Sequence, residues 1–256
     1  MQEPLYMILN LSKEGPDTTF FKQLSCDNIQ SIGLSEHTHI WDFLSLVEHR
    51  YVGGLYLPEP KLADDAAGWQ SFTKTPTGFA DTIFWNDEVG TVCGNDSAYD
   101  MLVDTIMPFL FGKSDVMAAV LGTGRMAKAA AMALYPVCVY LNLVSRGKSD
   151  TAIDIELAID AIAEQVGKVT CAVEGTTYEA FAFETMDIIV NATPIPMSGL
   201  IPGFTPKAGQ LLIDLPVDNN FKLGLCAKVI DRWCPSDRAE QLRRLGKAMR
   251  NESCHA

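Results

Sequence analysis

The sequence predicts an α/β protein of two domains, and three observations carry that expectation. Short apolar runs alternate with helical patterns from the first residues onward. A glycine turn at residues 122–124 joins an apolar run to an alanine-rich helix former. Two later runs, over 186–190 and 210–214, lack polar alternation, as strands buried on both faces of a parallel sheet do.

The turn reads Val120-Leu121-Gly122-Thr123-Gly124-Arg125-Met126-Ala127 and follows the pattern G-x-G-x-x-A. Strand, turn and helix in that order form the dinucleotide-binding unit of a Rossmann-type domain. Gly122 permits the tight turn, Gly124 lets the backbone approach a pyrophosphate, and Ala127 lets helix and strand pack closely. Free N–H groups at the helix start direct a partial positive charge at the phosphates. Thr123, Arg125 and Met126 complete the turn, with Arg125 either touching the pyrophosphate or simply exposed.

Composition narrows the rest. The chain has 256 residues, enough for one large domain or two small ones. Hydrophobic content of 48% and charged content of 20% are those of an ordinary soluble globular protein. No apolar run reaches the roughly 18–20 residues of a membrane span. A formal net charge of −12 argues against nucleic acid or an anionic membrane as partner. Seven cysteines without a C-x-x-C pair, behind a start that lacks the basic residues of a signal peptide, predict reduced thiols in the cytoplasm.

Taken in order, the apolar run 5–9 predicts a strand, ended by the polar turn from Asn10 to Pro16. Phe20, Phe21 and Leu24 share one side of a helix over 18–24. A strand over 29–34 and a helix after His37 follow. Residues 51–57 read as a strand stopped by Pro58 and Pro60, and a helix is expected over 62–72. A hairpin with strands at 80–85 and 91–92 turns about Asn86-Asp87. Residues 97–111 repeat apolar residues at helical spacing until Gly112-Lys113-Ser114-Asp115 breaks the pattern, which makes them a linker helix. Beyond it come strand 116–121, helix 125–134, strand 137–144, helix 151–165, strand 168–173 and the two buried runs. A basic amphipathic helix starts at Ser236. His37 and His39 have no Cys or acidic partner at ligand spacing, so no metal site is expected and both read as surface or helix-entry residues.

After the second strand of the nucleotide unit comes Val144-Ser145-Arg146-Gly147-Lys148. An NAD site places an acid here for the ribose hydroxyls. Arg146 and Lys148 stand there instead. A guanidinium grips a 2′-phosphate through two hydrogen bonds and an ammonium adds a point charge, so NADP is preferred unless both are solvated loop cations.

These stretches, with Asn191-Ala192-Thr193-Pro194, resemble the shikimate/quinate dehydrogenase family, whose nucleotide domain carries a glycine turn, an Asn-Arg-Thr triplet and an N-A-T-P motif in this order. Arg146 is the retained member of the triplet, while Ser145 and Gly147 replace its neighbours. In the first half the family has a G-x-N-V-T-x-P-x-K segment with a catalytic lysine. Gly53 and Lys61 keep that spacing, whereas Leu55, Leu57 and Glu59 replace the Asn, Thr and Pro. Asn10-Leu11-Ser12 is similar to half of the Ser-x-Ser pair that holds the substrate carboxylate. Asp81 falls where the family has a substrate-contacting Asn. Gly94-Asn95-Asp96-Ser97 resembles the motif with the catalytic Asp, a role that goes to Asp96 or Ser97 by register, Asp96 being preferred beside a lysine.

The resemblance implies a substrate-binding domain over 1–96, an NADP-binding Rossmann domain over 97–235 with its linker helix, and a cleft between them. It also implies that the C-terminal helix 236–256 returns to the first domain, although the family's G-x-x-M-L-x-x-Q helix is not recognisable around Arg232-Trp233-Cys234-Pro235. The implied catalytic pair is Lys61 and Asp96, and the implied substrate contacts are Asn10, Ser12, Asp81 and Asn95. The implied activity is NADP-dependent hydride transfer on a small polar hydroxy or keto acid other than shikimate. Two alternatives stay open. A carboxylate at Asp81 would attract an amine, which suggests reduction of an imine or amino-substrate. The lost family residues also allow a non-catalytic NADP-binding protein. The expected partners are a small-molecule substrate and, at most, a second copy in a homodimer.

Overall fold

Alternation along the first strands decides how the N-terminal sheet is covered. The computed structural model of the chain describes residues 4–11, 19–24, 28–35, 38–67, 75–146, 150–166, 171–178 and 181–234. It opens with β1 (Tyr6–Asn10), α1 (Thr19–Gln23), β2 (Ile29–Gly33), α2 (Ile40–Glu48), β3 (Gly54–Tyr56), α3 (Pro60–Ala67), β4 (Thr82–Asn86) and β5 (Thr91–Asn95). The five strands form one sheet in the order β2-β1-β3-β4-β5, parallel as far as β3 and antiparallel through the β4–β5 hairpin. Met7, Leu9, Leu55 and Leu57 face Ile40, Leu44 and Val47 of α2 and Leu62, Ala63 and Ala66 of α3. Tyr6, Ile8 and Tyr56 take the opposite face, as period-two geometry requires.

From α4 (Ser97–Leu110) the chain enters a second sheet. Its elements are β6 (Met117–Leu121), α5 (Arg125–Leu134), β7 (Tyr140–Ser145), α6 (Asp150–Val166), β8 (Ala172–Thr177), β9 (Ile188–Asn191), α7 (Met197–Leu200) and β10 (Leu211–Asp214). The order is β10-β9-β6-β7-β8, all parallel, which is the doubly wound arrangement. Small side chains set its layer spacing. Ala118 and Ala119 of β6 and Ala127, Ala129, Ala130 and Ala131 of α5 are all fully buried.

The last described helix, α8 (Asn219–Trp233), belongs to the first sheet, not the second. The chain accordingly divides into Met1–Ser97 with Asn220–Ala256, and Ala98–Asn219. This moves the expected boundary at residue 235 back to 219. The physical reason is the stack of Trp233 on Tyr6, with ring centroids 4.6 Å apart and planes 8° from parallel. Tyr6 also donates its hydroxyl proton to the Trp233 carbonyl at 3.2 Å. The expected helix 236–256 lies outside the described residues. A second correction concerns β8, expected over 168–173 and found at Ala172–Thr177. It is an edge strand with Glu174, Thr176 and Thr177 among its six residues, so apolar content does not mark it.

Gly53 and Gly54 leave room for this stack. A Cβ on Gly54 would lie 2.3 Å from Trp233 Nε1 and 2.8 Å from the Ile83 carbonyl oxygen, and one on Gly53 would lie 2.5 Å from Tyr6 Cε1. Gly54→Ala is expected to lose about 1–3 kcal/mol by overpacking and Trp233→Ala about 3–5 kcal/mol by emptying the site. Urea unfolding midpoints measure both.

Cys138 and Cys171 are buried just before β7 and β8. Burial, with the neighbouring Cys171 and Asp187 charges adding to it, pushes the Cys138 thiol up to about 12, and burial pushes Cys171 up to about 11. Unfolded thiols titrate near 9, so above that pH the folded chain holds more protons than the unfolded one. Stability is therefore expected to fall as pH rises from about 9 towards 11–12, less steeply in Cys138→Ala. Unfolding midpoints across that range check it.

Candidate functional site

In the second sheet β7 lies on one side of β6 and β9 on the other, so the connections diverge at the carboxyl edge of β6 and open a crevice there. Gly122 turns into that crevice with φ 104°, a conformation that disfavours any side chain, and its Cβ would stand 3.3 Å from the Ala192 carbonyl oxygen and Thr193 Cγ2. Gly124 caps α5 with extended backbone and no side-chain cap, and nothing lies within 4 Å of where its Cβ would be. The start of α5 is thus bare and approachable, which fits a dinucleotide pyrophosphate. Thr123 and Met126 are half-buried and Ala127 is fully buried. Arg125 is buried, which excludes the expectation that it is simply exposed.

The opposite wall of the crevice is held by the buried Asn191 at the end of β9. Its Nδ2 donates to Asp214 Oδ1 at 2.7 Å and to the Ile195 carbonyl at 2.8 Å, while its Oδ1 accepts from Thr193 N at 3.1 Å and Thr193 Oγ1 at 2.8 Å. Asp214 at the end of β10 accepts from Met197 N through Oδ2 at 2.9 Å. The side chains of Asn191 and Thr193 are spent on the loop itself, so this loop through Ala192 and Pro194 presents shape and backbone to the crevice.

At the end of β7, Ser145 is buried and Arg146 exposed. Ser145 pairs in register with Thr177, which sets Arg146 beside Tyr178 on the adjacent strand end. Burial raises the Tyr178 hydroxyl and the Arg146 charge opposes that rise, so the guanidinium acts on the phenol. Lys148 lies outside the described residues, as does Ser12 in the first unit.

The first unit has a pocket of about 700 Å³ lined by residues from three connections at the carboxyl edge of β1 and β2. Leu11 follows β1, Leu34, Ser35 and Thr38 link β2 to α2, and Lys61, Leu62 and Asp65 come from α3. His39 caps α2 without a side-chain capping bond, and it lines the pocket with Ile40 and the half-exposed Trp41. Lys61 is exposed here, and among the described residues none forms an ion pair with it. Sequence reasoning found Lys61 but missed Asp65 as a pocket residue and read His39 only as a surface or helix-entry residue, because the pocket exists only once the three connections converge.

The remaining expected residues are differently placed. Asp81 is fully buried, and its Oδ1 accepts from Ser97 N at 2.9 Å and Thr82 Oγ1 at 3.0 Å. It holds the start of α4, where a carboxylate suits the helix dipole, and this corrects its assignment as a contact for a substrate amine. The imine alternative loses its motive with it. Asp96 is buried too, with Oδ2 accepting from Thr77 Oγ1 at 2.6 Å, and it does not line the pocket that holds Lys61. Ser97 Oγ pairs with Thr82 Oγ1 at 2.7 Å. Asn95 is half-buried and gives its carbonyl to Asp81 N. Asn10 is buried, its Nδ2 donating to Ser31 Oγ and the Ile32 carbonyl. Among the described residues no cluster of three His, Cys, Asp or Glu could hold a metal, and no helix is long and apolar enough to cross a membrane.

No protein-family model matches this sequence, and no curated protein matches it either. Solved structures do. A quinate dehydrogenase from Corynebacterium glutamicum in complex with NAD superposes with a TM-score of 0.69 at 13% identity, over 95% of this chain and 98% of that one. The chain has the shikimate dehydrogenase fold. A ligand-free 5-ketofructose reductase of a Gluconobacter strain gives 0.66 at 14% identity over 95% and 99%. A shikimate dehydrogenase in complex with NADP+ gives 0.67 at 14% identity over 94% of each chain. Two sheets in one α/β chain are common to all of these and to the protein described above.

Asn191→Ala breaks four hydrogen bonds and takes from Asp214 Oδ1 its Asn191 donor, while Oδ2 keeps the Met197 N–H. It is expected to cost about 1–3 kcal/mol in urea unfolding, and so is Asp214→Asn, whose amide oxygen replaces one acceptor while its NH2 faces the other donor.

Proposed function

We propose that the chain is an NADP-dependent oxidoreductase that moves a hydride between the nicotinamide and a carbon of a small polar hydroxy or keto compound. The observation that carries this reading is the bare start of α5, set by Gly122 and Gly124 at the point where strand order diverges. The similar quinate and shikimate dehydrogenase structures, one with NAD and one with NADP+, support a dinucleotide there.

Residues of this chain then take distinct parts. The α5 N–H groups and the Gly124 backbone receive the pyrophosphate. Arg146, exposed at the end of β7, meets a 2′-phosphate with two hydrogen bonds, with Lys148 adding charge, and this favours NADP over NAD. Bound cofactor supplies hydride chemistry, accepting the C–H hydride of an alcohol in one direction and returning it to a ketone in the other. Oxidation also releases the O–H proton, and reduction consumes one. Lys61 lines the first unit's pocket with its ammonium unpaired among the described residues, and it exchanges that proton with the substrate oxygen. Asp96, a buried acceptor for Thr77, acts as a positioning residue for the segment it holds.

Fluorescence titration with NADPH and NADH tests the cofactor half. NADPH is expected to bind more tightly, and Arg146→Ala to weaken it by at least about tenfold, or about 1.4 kcal/mol, with NADH nearly unchanged. Equal affinity for both cofactors in the unmodified chain would remove the NADP assignment. Lys61→Met is expected to lower turnover by about a hundredfold or more while NADPH affinity stays put. Unchanged turnover in that variant would take the proton-transfer role from Lys61.

A further inference from the structure

We propose that the pocket of the first unit selects a neutral polyhydroxy or hydroxy-keto compound, of the polyol or ketose type, and rejects its carboxylate counterparts. The inference deepens the oxidoreductase reading and rests on it for the reaction, but not for binding. It begins with Glu59. The Leu11 N–H, at the end of β1, donates to Glu59 Oε1 at 2.5 Å. Leu11 is also a wall of the pocket. A carboxylate of the chain therefore already occupies a backbone donor at the strand end on which a ligand anion would draw.

The charges around Lys61 point the same way. Asp65 lies one helical turn beyond it on α3 and lines the same pocket, and the Glu59 carboxylate is held at the pocket's Leu11 wall. Among the described residues that line the pocket, Lys61 is the one cation, and with the carboxylates of Asp65 and Glu59 at the same pocket an incoming anion meets repulsion that offsets its attraction. A neutral ligand meets no such conflict. What the pocket offers it is a set of directional partners. Asp65 accepts hydroxyl protons, Lys61 donates to hydroxyl or carbonyl oxygen, and the His39 imidazole is free of any capping bond. Trp41, 48% exposed, presents an aromatic surface suited to the C–H face of a sugar-like ring or chain. The volume of about 700 Å³ lies in the range of roughly 300–1,000 Å³ usual for small-molecule sites.

The position supports a ligand site independently of these side chains. β1 pairs with β2 on one side and β3 on the other, all three parallel, so their connections part at this carboxyl edge as they do in the second sheet. In the reaction the chosen compound loses a hydride from carbon to the nicotinamide and a proton from the attached oxygen, or gains both, and no further reactant enters.

The test uses the full chain without cofactor, titrated with myo-inositol, D-fructose and quinate and read by tryptophan fluorescence. Trp41→Phe identifies the signal that comes from the pocket. At least one of the two neutral compounds is expected to bind with a Kd at least about tenfold below that of quinate. Glu59→Gln keeps an oxygen on Leu11 N–H but removes the charge, and it is expected to tighten quinate by at least about tenfold with the neutral compounds within about twofold. Quinate binding as well as the neutral compounds in the unmodified chain would overturn the proposal. So would the absence of any Trp41 signal from either neutral compound at tens of millimolar, or an unchanged quinate Kd in Glu59→Gln. The NADPH titration on the same preparation is a separate readout, and its failure alone removes the oxidoreductase reading without touching the binding preference.

Discussion

Trp233 lies flat on Tyr6, and much of the first unit follows from that contact. It covers one face of a sheet whose strands alternate strictly, so that Tyr6, Ile8 and Tyr56 are closed off by α8 together with Phe21 and Leu24. Two adjacent glycines in the middle of the sheet are the condition for it. With one face closed by α8, the other is free to carry α2 and α3, and the connections into those helices are the ones that line the pocket. Lys61 is therefore placed by a chain of packing that starts on the far side of the sheet.

The second unit builds its crevice by a different means. Its walls are backbone, with Gly122 pressed close to the Ala192 carbonyl and Gly124 left open, and its side chains act on one another. Asn191 and Asp214 show this most clearly. Both are polar groups at strand ends in the crevice region, and both are consumed in fixing the loop from Ala192 to Met197. With these hydrogen-bonded side chains turned inward, the loop presents backbone rather than side chains to the crevice.

Legibility in the sequence divides along the same line. The helix at α5 was placed to the residue and β6 and β10 to within one residue, because glycines, alanines and unbroken apolar runs are local signals. α8 escaped notice, although Leu223, Cys226, Ala227, Ile230 and Trp233 recur at helical spacing, because Lys222, Lys228 and Arg232 among them leave no net apolarity. Asp81 was misread because the resemblance puts it at a substrate contact, and nothing local reveals that the Ser97 N–H at the start of α4 folds back onto it. The pocket was out of reach for a related reason. Glu59 and Leu11 are 48 positions apart, and only the pairing of β1 with β3 brings them together.

The first unit is discontinuous in the chain, and that has a consequence for biosynthesis. A ribosome releases Tyr6, Ile8 and Tyr56 early, but their covering residues from Leu223 to Trp233 emerge only after the whole of Ala98–Asn219. The second unit is contiguous and can close its sheet while the first still shows a bare aromatic face. During that interval the nascent chain carries an exposed apolar surface of the kind that holding chaperones recognise. Order of assembly thus runs against order of translation, with the N-terminal unit the last to be finished.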